Sequence, residues 1–205
     1  MNGFDIERES ITLKVKSRLS HKRFEHTLGV CQMAQLLSEY CLPKMEDQVF
    51  LAAMLHDIAK ELTTSELREI ISKEEIFLTE ADTAPVLHSY AAPYIVKRDF
   101  PEAATPEVLS AVAKHTVGDT DMSVLDEIIF LADYIEPGRT YVDCIATREF
   151  MLSSLVKGDV LASVNALHKA CIMSMERTCK KLLEKGEIVN PKTMDAKNAL
   201  MVKIY

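Results

Sequence analysis

No CxxC pair, no run of roughly 20 apolar residues and no excess of basic side chains occurs in this chain of 205 residues. The missing apolar run excludes a membrane-spanning helix. The amino terminus, Met1-Asn2-Gly3-Phe4-Asp5-Ile6-Glu7, is acidic where a signal peptide is basic, and no apolar core follows it, so the expected location is cytoplasmic. Five cysteines (Cys31, Cys41, Cys144, Cys171, Cys179) are an odd number at wide spacing, which describes neither a disulfide framework nor a structural zinc site. Reduced, mostly buried thiols are expected instead. A net charge of −7 and a pI near 5.4 argue against a nucleic-acid partner, which would be held by clustered Lys and Arg over an extended face. A small anionic substrate stays open, provided its charge is met locally inside one pocket.

Alternating strand patterns, Asn-Gly hairpin turns, internal repeats and low-complexity tracts are absent too, and helical periodicity dominates. The expected fold is all-α: one domain with its core in about residues 20–140 and C-terminal helices in about 141–205 packed on it. Helices are expected over Asp5 to Leu19, Arg23 to Cys41 and about Glu46 to Ala59, the last carrying His56 and Asp57 in its final turn. Thr63 with Glu66 fits a capping box for a helix through Ser72. Further helices are expected near His88 to Arg98, interrupted or bent at Pro93, and from Pro106 to His115. Ser123 with Asp126 resembles a weaker cap for a helix reaching Tyr134. About Cys144 to Val156, a long helix from Asp159 to Lys185 stopped by Gly186, and a last short helix after Asn190-Pro191 complete the chain.

What stands out is the pair His56-Asp57, which closes the apolar run Val49-Phe50-Leu51-Ala52-Ala53-Met54-Leu55. An unpaired carboxylate is costly where the core wall is thickest, and Asp133 repeats the situation after Ile128-Ile129-Phe130-Leu131-Ala132. A metal ion shared with His26 would satisfy both, with two nitrogen and two oxygen donors from separated elements. Imidazole and carboxylate suit a borderline divalent transition metal such as iron or manganese. A metal-dependent hydrolase is the expected class.

His26, His56-Asp57 and Asp133, in that order, resemble the H…HD…D signature of the HD-domain phosphohydrolases. The surrounding runs His56-Asp57-Ile58-Ala59-Lys60, His115-Thr116-Val117-Gly118 with Met122-Ser123, and Leu131 through Arg139 are similar to its YqeK-type branch, the symmetrical bis(5'-nucleosyl)-tetraphosphatases. The resemblance covers about residues 20–200. It implies an HD-type helical bundle that splits diadenosine tetraphosphate into two ADP by a metal-activated water, with one iron held by His26, His56, Asp57 and Asp133. It also implies that Arg23, Lys60, His88, His115 and Arg139 line the phosphates, with Asp57, Lys60, His88 and His115 taking part in catalysis and His26 and Asp133 facing substrate as well. A glycine loop after His115 would let backbone approach the substrate. His88 and His115 could instead take a second metal, as extra histidines do in some HD proteins.

Cations suit the chemistry independently, because a tetraphosphate bridge carries about four negative charges. For Lys60 an ordinary helix-terminal cation is the plain alternative. His21 and His168 are assigned to surface or core, and Met173 and Met175 to core. Arg177 to Lys181 are candidate walls for a pocket seating one adenosine. Near the end, Asn190 and Lys197 stand where the family pattern has a histidine before the proline and an arginine before the asparagine. Another nucleoside phosphate as substrate, or a nucleotide sensor without turnover, are the rival functions. A homodimer is left open.

Overall fold

The computed structural model describes the backbone of residues 3–204 and the side chains of residues 8–204. Ten α-helices and no strand are found among them: α1 Gly3–Lys16, α2 His21–Cys41, α3 Glu46–Leu55, α4 Thr64–Lys73, α5 Leu87–Asp99, α6 Pro106–Lys114, α7 Val124–Ile135, α8 Val142–Ser153, α9 Val160–Glu184 and α10 Pro191–Ile204. The fold is all-α, as expected. No helix among the described residues is long and apolar enough to cross a membrane.

Polar side chains set where the helices start. Ser20, Thr63, Thr105, Ser123 and Asp159 each accept the backbone N–H three residues ahead, supplying a partner to a donor that the first turn leaves unpaired. At α4 and α7 the box closes reciprocally through Glu66 and Asp126, so the cap at Ser123 is complete and not the weaker one expected.

Helices α2 and α7 lie at the centre. α7 is buried around most of its circumference (Leu125, Ile128, Ile129, Leu131, Ala132, Ile135), as its nearly continuous apolar sequence requires. α2 packs on α3, α7 and α9, and α6 packs on α3, α5 and α7. α9 carries the C-terminal part of the chain onto this core by touching α2, α7, α8 and α10.

Beyond shifts of two or three residues at the ends of α1, α2 and α8, three features differ from expectation. α3 ends at Leu55, and residues 56–61 run in tight turns such as Ile58 N–H to Leu55 O and Lys60 N–H to Asp57 O. His56 is therefore the C-cap of α3, still with helical backbone angles, and Asp57 lies just past the helix end. Ile58 and Ala59 stay buried, so the apolar pattern continues although the backbone has left the helix. α5 runs unbroken through Pro93. Proline removes one N–H and crowds the preceding turn, and burial of Leu87, Ala91, Ala92, Ile95 and Val96 holds the helix regardless. α10 is 14 residues long, not short.

Candidate metal and phosphate site

Five segments converge on one interior point. α2 brings Arg23 and His26 in its first two turns, the turns after α3 bring His56, Asp57 and Lys60, and the first turn of α5 brings His88. His115 caps the C-terminus of α6, and Asp133 stands in the last turn of α7, with Arg139 in the turn beyond. All nine expected site residues lie in this cluster.

Asp57 is its centre, 3% exposed. Its Oδ2 faces His56 Nε2 at 3.6 Å and His26 Nε2 at 3.7 Å, while its Oδ1 faces His88 Nε2 at 3.2 Å and His115 Nε2 at 3.6 Å. Asp133 Oδ1 lies 3.0 Å from His26 Nε2. Two compact donor triads result, His26–His56–Asp133 and Asp57–His88–His115. The four expected ligands thus span both, joined through the two oxygens of Asp57. The imidazoles form a file, with ring centroids 5.6 Å apart for His26 and His56, 5.1 Å for His56 and His115, and 5.0 Å for His88 and His115.

The rings are oriented from behind. His56 Nδ1 donates to Ala53 O at 2.6 Å and His115 Nδ1 to Val112 O at 2.7 Å, which fixes the tautomer and leaves each Nε2 a lone pair directed into the site. His26 Nδ1 meets Glu136 Oε1 at 3.2 Å. His56 Nε2 is buried without a hydrogen-bond partner, and His26 Nε2, although 3.0 Å from Asp133 Oδ1, is not aligned for a hydrogen bond to it. Two orphaned imidazole nitrogens beside two carboxylates fit a divalent metal ion, and the donor set suits a borderline one.

Electrostatics favour the same occupant. Burial pushes His56 and His88 down to about 4, so both rings are neutral and ready to ligate near pH 7. Burial would raise Asp57, but the surrounding His56, His115 and His88 outweigh it and hold the carboxyl well below its ordinary range. Burial would likewise raise Asp133, and His26, His56 and Arg139 overcome it. For His26, burial lowers the pKa, and the carboxylates of Asp133 and Glu136 more than reverse that.

Three cations border the cluster. Arg23 donates to Asp57 Oδ2 at 2.8 Å, and Arg139 donates to Asp133 Oδ1 at 2.7 Å and to Asp133 O at 3.0 Å. Lys60 Nζ lies 3.1 Å from His88 Nε2, with its pKa lowered by burial. Lys60 is thus an interior cation, not a solvated helix terminus. Arg23, His26 and Arg139 also line an open cavity of about 900 Å³, which gives a small molecule access to the cluster.

Two site residues escaped the sequence reading. Glu136 is 4% exposed; it holds His26 from behind and accepts from the Gly138 N–H. Thr116 Oγ1 stands 3.0 Å from His115 Nε2 and 3.2 Å from His88 Nε2. Glu136 lies one helical turn beyond Asp133, and that spacing was the available signal. One expected reason also changes. Gly118 has φ +75°, and a Cβ there would meet Ala196 Cβ at 3.0 Å and Met175 Cε at 3.1 Å, so the glycine serves close packing on α9 and α10. The two departures near the end likewise have structural uses. Asn190 donates to Asp82 Oδ1 at 2.9 Å, tying the start of α10 to the loop before α5, and Lys197 pairs with Glu176 of α9 at 3.1 Å. His168 is a core residue, 2.6 Å from the buried carboxylate of Glu127, whereas His21 is exposed. Met175 is buried as expected, and Met173 only partly.

Comparison with known proteins agrees with this geometry, since the HD domain family matches residues 23–138, from Arg23 through the turn after α7. The chain belongs to the HD-domain family. A relative from Bacillus subtilis (strain 168), named "Bis(5'-nucleosyl)-tetraphosphatase, symmetrical", is 30% identical over 96% of this chain and 98% of its own. A protein of the same name from Halalkalibacterium halodurans is 32% identical over 92% of this chain and 94% of its own. Among solved structures, a predicted HD superfamily hydrolase involved in NAD metabolism from Clostridium acetobutylicum superposes with a TM-score of 0.82 at 30% identity, covering 95% of this chain and 97% of that one. The HD-domain match stops at residue 138, whereas the likeness to the Bacillus subtilis relative and to the Clostridium acetobutylicum structure extends over nearly the whole chain.

Proposed function

We propose that this protein hydrolyses dinucleoside tetraphosphates symmetrically, releasing two nucleoside diphosphates, ADP in the case of diadenosine tetraphosphate. The observation that carries the chemistry is the pair of buried, unpartnered Nε2 atoms of His26 and His56 beside the carboxylates of Asp57 and Asp133. The full-length relatives named for this activity supply the substrate.

His26, His56, Asp57 and Asp133 would hold the metal, for which iron is the first candidate and manganese the second. Once bound, such an ion supplies Lewis-acid charge and acidifies water at neutral pH. Asp57 would orient the attacking water. Water adds to the phosphorus second from one adenosine, the bridging oxygen to the third phosphorus departs, and ADP leaves on each side. Arg23, Lys60 and Arg139 offset the charge that grows on the departing phosphate. His88 and His115, with Thr116 between them, would face the reacting phosphates from the Asp57 Oδ1 side.

Those two histidines and Asp57 Oδ1 also favour a second reading, in which they hold another ion. We retain one ion, because the Lys60 ammonium beside His88 repels a second cation from that triad. Metal analysis of protein purified without chelator decides it: one ion per chain is expected, and two would replace the single-ion reading. Product identification tests the reaction. Diadenosine tetraphosphate should yield ADP alone, whereas AMP with ATP would show attack at the wrong phosphorus, and no turnover of metal-loaded protein would favour a nucleotide sensor.

A further inference from the structure

One residue beyond the metal-facing Asp133, on a different side of α7, Tyr134 lines a separate cleft of about 270 Å³ between the ends of α7, α8 and α9. Tyr141, Cys144, Arg177, Lys181 and Lys185 form the rest of its character, with Asp143 as its one carboxylate. Three cations in one small cleft are notable on a chain of net charge −7. Arg177 already faces Asp143 and Lys185 faces Glu187, each at 3.7 Å, so Lys181 is the cation left to meet an anion, although the protein as a whole repels one. Two tyrosines add aromatic surface, and Lys181 Nζ already sits 4.7 Å from the centroid of the Tyr141 ring. Aromatic faces flanked by cations suit a stacked base joined to phosphate.

The cleft borders the cavity that leads to the site. Tyr141 lines both this cleft and the larger cavity that reaches Arg23, His26 and Arg139. A substrate with a nucleoside at each end of a tetraphosphate needs a seat for each end.

We propose that the cleft lined by Tyr134, Tyr141, Arg177, Lys181 and Lys185 seats one nucleoside of the dinucleoside tetraphosphate, with the base stacked on Tyr141. This rests on the substrate reading above and adds how cleavage becomes symmetric: a base anchored here sets how many phosphates reach the metal.

The test uses full-length, metal-loaded protein carrying Tyr141→Ala or Lys181→Ala. Tyr141 is 63% exposed and Lys181 is exposed, so neither change disturbs the core. Stacking loss predicts about a tenfold or larger rise in KM for diadenosine tetraphosphate in Tyr141→Ala, with kcat at saturation and metal content close to those of the parent. An unchanged KM in both variants overturns the proposal. Fluorescent mant-ADP separates the two readings, since binding it requires no turnover. If the parent protein fails to cleave dinucleoside tetraphosphates, the substrate reading falls, and mant-ADP alone decides the cleft: about tenfold weaker binding in the variants sustains it, and equal binding removes it.

Discussion

Glu136 decides how well His26 can serve as a ligand. Its Oε1 holds His26 Nδ1, while its Oε2 takes the Gly138 N–H and lies where a Cβ on Gly29 would come within 2.5 Å. The glycine in α2 is therefore the space into which the buried carboxylate fits. Partners behind a metal-bound histidine fix the ring and raise its basicity, and losing them typically weakens metal binding by about 10–100-fold. Glu136→Gln should show that loss in a chelator competition titration, with little change in fold. Gly29→Ala separates sterics from propensity: alanine favours the helix by up to about 1 kcal/mol, yet it must push Glu136 away. Weaker metal binding without a gain in thermal stability is the expected result; unchanged metal affinity would show that Glu136 can move freely. Replacing Asp57 is more severe, because each of its oxygens faces a different pair of imidazoles. Asp57→Ala should lose turnover and most bound metal, and near-normal activity in metal-replete Asp57→Ala protein would exclude the mechanism.

Among elements, starts were legible in the sequence and ends were less so. Thr63, Thr105 and Ser123 announce their helices because a cap is a local bond between a hydroxyl and an amide three residues on. The end of α3 is not local in that sense. His56 through Ala59 continue the buried pattern while the backbone changes hand-over from helix to tight turns, and composition does not record that change. The unbroken course through Pro93 is similar: burial on both sides outweighs a rule that holds for exposed helices. That His26, His56, Asp57 and Asp133 come together was readable because few residue types can hold a metal, whereas Glu136 and Thr116, which touch the imidazoles, look like ordinary polar residues in the sequence. α7 offers a clean test at this scale. Ser123→Ala removes one capping acceptor but leaves Asp126 bonded to Lys114 and Ser110, so the cost should stay near 1 kcal/mol. Urea denaturation should report that loss, and the metal affinity, ten residues away at Asp133, should remain as in the parent.

Across the molecule, the five thiols are distributed over α2, α8 and α9, and all are buried. Burial pushes Cys31 and Cys41 up to about 12, and it raises Cys144, Cys171 and Cys179 as well. The thiolate is the reactive form, and below a raised pKa its population falls tenfold for each pH unit. Burial also blocks the reagent sterically. Labelling with an aromatic disulfide reagent should therefore be slow in native protein from pH 7 to 9 and reach five thiols per chain only once the core opens. Metal loading connects this readout to the site, since an ion bound only to the folded state stabilises it by about 2.7 kcal/mol at a free concentration 100 times its Kd. In a two-state domain, adding the metal should then slow all five thiols by the same factor, including Cys144 and Cys179 in the C-terminal helices. If the thiols of α2 were protected while those of α8 and α9 kept their rate, residues 141–205 would open separately from the HD core, and α9 would be a docked arm instead of part of one cooperative unit.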